Sequence, residues 1–135
     1  VTIVGRTGSG KTVGGTWLLA QTVKPKSKWV IVDFKRDSLI ADIPHLNEID
    51  ITGSAPTKPG LYVIRPNPSD MEDVEEFLTK IWAQENTGLF IDEGYMLARS
   101  KALQAILTQG RSKKIPTFLL TQRIHFYIRF SNAWF

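Results

Sequence analysis
Short apolar runs alternate with amphipathic stretches along this chain. The runs Val1 to Val4, Trp29 to Val32, Leu61 to Ile64, Leu89 to Ile91 and Thr117 to Leu120 are β-branched or aromatic and flanked by polar or turn residues. This is the signature of strands buried on both faces of a parallel sheet. Between them, Lys11 to Val23 reads as a helix stopped by Pro25. Ser69 to Ala83 reads as a second helix, with Ser69 and Glu72 forming a capping box and Met71, Val74, Leu78, Ile81 and Trp82 forming one apolar stripe. A third spans about Ser100 to Gln109, with Leu103, Ile106 and Leu107 on one face and Gly110 placed to terminate it. Strands alternating with helices predict an α/β fold with helices on a parallel sheet.

The length, 135 residues, allows one domain, and residues 1–135 are read as one. With 42% hydrophobic residues the chain has ample material for a core. The absence of Cys excludes a disulfide scaffold, thiolate metal sites and cysteine nucleophiles. No apolar run approaches the ~20 residues that span a bilayer, and no basic region precedes an apolar signal core. The chain opens inside its first strand and closes on Asn132-Ala133-Trp134-Phe135 without a capping pattern, so a fragment or minimal core of a larger protein is expected.

Charge is unevenly distributed. Through Glu93 there are 10 Lys and Arg against all 13 acids, whereas from Gly94 onward there are 7 basic residues and no acid. A wholly basic C-terminal third suits either a polyanion partner or a solvated basic face.

Gly5-Arg6-Thr7-Gly8-Ser9-Gly10-Lys11-Thr12 matches the phosphate-loop pattern G-x-x-x-x-G-K-[ST] at every fixed position, between an expected strand and an expected helix. Gly5, Gly8 and Gly10 let successive backbone N–H groups turn toward phosphate oxygens at a helix N-terminus. Lys11 then reaches the terminal phosphates, and the Thr12 hydroxyl is an oxygen ligand for Mg²⁺. The bland alternative is a chance glycine-rich turn. Leu89-Phe90-Ile91-Asp92-Glu93 delivers two carboxylates at the end of an apolar strand, the edge where open α/β sheets bind ligands, and looks like a Walker B strand. Asp92 is expected to hold Mg²⁺ through its water shell, and Glu93 to orient and deprotonate an attacking water; the bland alternative is a plain strand end or helix start.

Downstream, Gly110-Arg111-Ser112 places Arg111 before the last strand, and Thr121-Gln122-Arg123 follows that strand. With Asp33-Phe34-Lys35-Arg36-Asp37 after the second strand and Arg65-Pro66 after the extra strand, this pattern resembles the FtsK-HerA superfamily of P-loop ATPases, most of all the virus DNA-packaging ATPases. The resemblance spans nearly the whole chain. It implies a three-layer P-loop fold, ATP and Mg²⁺ as substrate and cofactor, double-stranded DNA as partner and a homo-oligomeric, hexameric ring, with viral capsid or membrane components as further partners and the host cytoplasm or virion as location. It also implies that Gln122 senses the γ-phosphate and that Arg111 acts as an arginine finger on a neighbouring subunit's nucleotide. Alternatives remain for both: Gln122 as an amide ending a strand, and Arg111 as a DNA contact or part of an exposed basic turn with Lys113 and Lys114. Relatives continue past the glutamine into a further strand beside the phosphate-loop strand; here the chain stops where it is expected, and Ile124-His125 stands where many relatives place Pro.

Other residues carry less. Asp33 is a secondary candidate, since an Asp ending a strand more often makes a turn. His45 and His125 have no ligand-spaced partner, so no metal role is assigned. Trp17, Trp29 and Trp82 are expected in the core or at a subunit contact. Phe126, Tyr127 and Phe130 interleave with Arg123 and Arg129, as a nucleic-acid surface or a buried element. The run Asp70, Glu72, Asp73, Glu75, Glu76 is expected to be a solvated helix face. The motor reading competes with a small P-loop kinase, which ignores DNA, and with a non-catalytic nucleotide-binding assembly or secretion module.

Overall fold
The computed structural model describes residues 2–4 and 10–121. Six parallel strands form one sheet in the order β1-β6-β5-β2-β4-β3, with β1 Thr2–Val4, β2 Lys28–Asp33, β3 Leu46–Glu48, β4 Gly60–Ile64, β5 Gly88–Asp92 and β6 Thr117–Thr121. The helices are α1 Lys11–Thr22, α2 Ser38–Ala41, α3 Met71–Gln84 and α4 Lys101–Gln109. The five expected strands and three expected helices are all present. The two elements absent from the sequence reading, β3 and α2, are three and four residues long, too short for any periodicity to register.

The strand side chains alternate between two cores. Val30, Val32, Leu89, Ile91 and Leu119 pack with Phe77, Leu78 and Ile81 of α3 and Leu103 and Ile106 of α4. Trp29, Ile31, Phe90, Phe118 and Leu120 face the other way, onto Leu19 of α1 and Ile40 of α2. This is the three-layer arrangement in which central strands are apolar on both faces. The helix α1 lies close on the sheet at Gly15, where a methyl group would come within 2.7 Å of the Leu120 side chain and 3.2 Å of Phe90.

Two local expectations change. The capping box before α3 is made by Asn67 and Asp70 rather than by Ser69 and Glu72: the Asn67 N–H donates to the Asp70 carboxylate at 2.8 Å and opens a 3-10 turn over Pro68–Asp70. Proline, lacking an N–H, fits the first position of that turn, which moves the start upstream. Glu75 is also not simply a solvated acid. Its carboxylate accepts from the Ser100 hydroxyl at 2.5 Å and from the Ala102 N–H at 2.8 Å, while Ser100 caps α4 by accepting from the Leu103 N–H. Glu75 therefore ties α3 to the start of α4, whose exposed donors it satisfies. Of the tryptophans, Trp29 is buried and Trp82 half-buried, but Trp17 is 62% exposed, which removes its core reading.

Candidate nucleotide site at the carboxyl edge of the sheet
All six strands run the same way, so the end of β1, the acids ending β5 and the end of β6 share one edge. Gly5, Arg6, Thr7, Gly8, Ser9 and Gln122 lie outside the described residues, as do the basic-aromatic segment from Arg123 onward, His125 and the expected site of a further strand. Gly10 sits immediately before α1 with φ +84°, a conformation that glycine adopts without strain. Lys11 and Thr12 then form the first residues of α1. β6 stands between β1 and β5, so the acids lie two strands from the phosphate-loop strand.

Asp92 ends β5 fully buried, and its Oδ1 accepts the N–H of Glu93 at 3.0 Å. The chain then leaves the strand abruptly: Glu93 takes φ +55°, ψ +48°, and its carbonyl accepts from the Met96 N–H as a 3-10 turn begins over Gly94–Leu97. A non-glycine residue held left-handed costs on the order of 1–3 kcal/mol and persists where surrounding structure enforces it, often at functional sites. Glu93 is itself buried, and its Oε1 lies 2.8 Å from Nζ of Lys35, whose side chain is 40% exposed.

Lys35 comes from the turn after β2. That strand pairs with β5 in a register that sets Asp33 opposite Asp92, so two buried carboxylates end adjacent strands. Asp33 accepts from the Asp37 N–H at 3.2 Å and faces Nε of Arg65 at 3.5 Å. Burial pushes its carboxyl above the usual range, against the opposing pull of the Asp37 N–H and the Arg65 guanidinium. Arg65 also meets Glu48 at 3.1 Å, and its carbonyl accepts from the Arg36 guanidinium at 3.2 Å. Arg36 has φ +55°, left-handed as Glu93 is.

Lys35 is the functional candidate that sequence reasoning passed over. Its stretch was recognisable, but its partner became evident only once β2 and β5 were neighbours. The contact with Glu93 raises the Lys35 pKa above its ordinary 10.5. Because the folded value is the higher one, the pair's contribution is fully present below pH 10.5 and is lost as pH rises through the raised value. The stability difference between wild type and Lys35→Met in urea unfolding is expected to be level below pH 10.5 and to shrink as pH rises from there through the raised value; a difference that stays constant throughout would contradict the pairing.

Arg111 occupies the opposite edge. It follows α4 and precedes the start of β6, lining a cleft of about 800 Å³ with Lys114, Pro116, Thr117, Trp29 and Phe118. A five-residue strand is ~17 Å long, so Arg111 and Glu93 stand at opposite ends of the sheet within one chain. Lys113 is engaged structurally: its ammonium lies 3.8 Å over the Trp82 ring, 3.1 Å from the Trp82 carbonyl and 3.5 Å from Glu85.

Among the described residues no group of three or more His, Cys, Asp or Glu is arranged to hold a metal ion. The oxygen donors Thr12 and Asp92 nonetheless suit Mg²⁺ at a nucleotide, which takes one or two protein ligands and completes its shell with phosphates and water. No helix among the described residues is long and apolar enough to cross a membrane.

No protein-family model matches the chain. It is 42% identical over 134 residues to DNA packaging ATPase P9 of Enterobacteria phage PRD1, an alignment covering 97% of this chain and 58% of that protein's length. In fold it is similar to the genome packaging NTPase B204 of Sulfolobus turreted icosahedral virus 2. The sulfate complex superposes with a TM-score of 0.62 at 22% identity, over 92% of this chain and 64% of that one. The AMPPCP complex gives 0.61 at 20% identity, over 95% and 69%. The resemblance to virus packaging ATPases is thus borne out: this α/β chain is a homologue of the phage PRD1 packaging protein and shares its fold with a viral genome packaging NTPase.

Proposed function
We propose that the chain is the ATPase core of a ring-shaped motor that hydrolyses ATP with Mg²⁺ and packages viral double-stranded DNA. The reading is supported by Asp92 and Glu93, buried at the end of β5 on the sheet edge where β1 also ends, in a chain 42% identical to a protein named as a DNA packaging ATPase. The loop Gly5 to Thr12 grips the phosphates through backbone N–H groups, and Lys11 neutralises the terminal ones. Thr12 and Asp92 would hold Mg²⁺, which supplies charge neutralisation on the β- and γ-phosphates. Glu93 accepts the proton of the attacking water as the bond from γ-phosphorus to the leaving oxygen of ADP breaks. Lys35 holds the Glu93 carboxylate in one orientation, and Gln122 hydrogen-bonds the γ-phosphate or the water.

Arg111 serves a neighbouring subunit. At the far edge of its own sheet, it acts on a nucleotide only across a subunit boundary, as a closed ring provides. The motor works in the host cytoplasm or on the virion. The decisive experiment measures ATP turnover with and without long double-stranded DNA. Turnover stimulated several-fold by DNA is the expected result; ATP binding without turnover in either condition would overturn the motor reading, and turnover only with a phosphate-accepting metabolite would establish a kinase.

A further inference from the structure
Three ionic contacts in the described structure run in series from the outer strands to Glu93. Glu48 on β3 meets Arg65 just past β4, Arg65 meets the buried Asp33 at the end of β2, and the turn anchored by Asp33 carries Lys35 to Glu93. We infer that Arg65 and Asp33 are positioning residues for hydrolysis, holding the Phe34–Asp37 turn so that Lys35 keeps the Glu93 carboxylate fixed. The inference rests on the proposed role of Glu93 as the base.

The turn is anchored by Phe34 against the core, by Asp37 at the start of α2, and by two contacts that involve Arg65. Asp33 Oδ1 takes the Asp37 N–H at 3.2 Å, closing the turn on itself, while the Arg36 guanidinium reaches the Arg65 carbonyl at 3.2 Å. Arg65 therefore grips the turn twice, through its side chain at Asp33 and through its backbone at Arg36. Arg36 sits left-handed, so the turn is held in a backbone shape that its own residues do not favour. Arg65 is suited to this by its planar fork: Nε addresses Asp33 while Nη1 addresses Glu48, a span that an ammonium cannot cover. Its side chain is only 18% exposed and Asp33 is fully buried, so water does not readily replace that contact, whereas Glu48, 63% exposed, makes the solvent-facing one.

The consequence is kinetic. A turn that relaxes by about 1 Å releases Lys35 from Glu93 and misplaces the base, a displacement that costs up to ~10²-fold in rate. The proposed nucleotide contacts are those of the loop Gly5 to Thr12 and Asp92, so the loss is expected on kcat with the KM for ATP unchanged.

The test compares the wild type with Arg65→Gln, Lys35→Met and the double variant. Arg65→Gln is expected to lower kcat ~10-fold or more at unchanged KM, and the double variant to fall no further than Lys35→Met alone, because both changes cut one path. Amide hydrogen exchange across residues 34–37 is read alongside, and is expected to speed up in Arg65→Gln while the strands keep their protection. Multiplying effects in the double variant, or wild-type exchange in that turn, would overturn the inference. Should Arg65→Gln not fold, Arg65→Lys keeps a charge beside Asp33 but cannot span to Glu48, and its kcat and its exchange at residues 34–37 are expected to lie between those of the wild type and Lys35→Met; wild-type values in both would overturn the inference. An active wild type whose kcat survives Arg65→Gln sinks only this inference. A wild type that turns over no ATP sinks the functional reading, and the exchange measurement then decides the positioning link by itself.

Discussion

Glu93→Gln is expected to cut ATP turnover by ~10²–10⁴-fold, the range a positioned general base contributes, while leaving the affinity for a non-hydrolysable ATP analogue intact. The amide keeps the length and shape of the side chain, but it cannot take a proton from water. It also loses the charge that Lys35 pairs with at 2.8 Å, so the ammonium is left without its buried partner. Stability is therefore expected to change far less than turnover, because Lys35 is 40% exposed and can turn to solvent. The measurement is single-turnover hydrolysis beside equilibrium binding of the analogue. A variant that binds the analogue and still hydrolyses within tenfold of the wild type removes Glu93 from the role of base.

Phe90→Ala carries the largest expected effect on folding, a loss of ~3–5 kcal/mol. Phe90 is fully buried in the middle of β5, between the strand that ends in Asp33 and the strand that ends beside Gln122. Its ring faces Phe118 at 6.3 Å and lies beneath Gly15, where α1 rests on the sheet. Truncation leaves a cavity under the helix that begins at Lys11, and backbone shape there cannot close it without moving the helix. Against a typical total of 5–15 kcal/mol, that loss is a large fraction of the stability. Urea denaturation is the check. A loss below about 1 kcal/mol would mean that α1 is not packed on β5 as described. Because β5 also delivers Asp92, weaker nucleotide binding is expected to accompany the loss.

The two expectations differ in where their causes lie. Asp92 and Glu93 could be picked out along the chain because an apolar run ending in two acids, after a phosphate-loop pattern, leaves few readings. The burial of both could not be read there, nor could the left-handed turn at Glu93 that takes its carboxylate out of the strand direction. Glu75 shows the same limit in the other direction. It sits in a run of acids at a helix start, where the dipole alone accounts for it, yet it caps a different helix 25 residues further on.

Periodicity by itself determined the α/β class, the five apolar strands and the three longer helices, since each depends on residues near one another in the chain. The tertiary structure alone decided the strand order, and with it the partners. Inserting β6 between β1 and β5 and laying β2 on the other side of β5 brings Asp33 opposite Asp92 and Lys35 onto Glu93, across some sixty residues. It also sends Arg111 to the edge opposite Glu93. The physical reason is that strand pairing is chosen by the whole buried surface. The apolar runs are nearly interchangeable as sequences, and only their joint packing against α1 and α2 on one face and α3 and α4 on the other selects the neighbours.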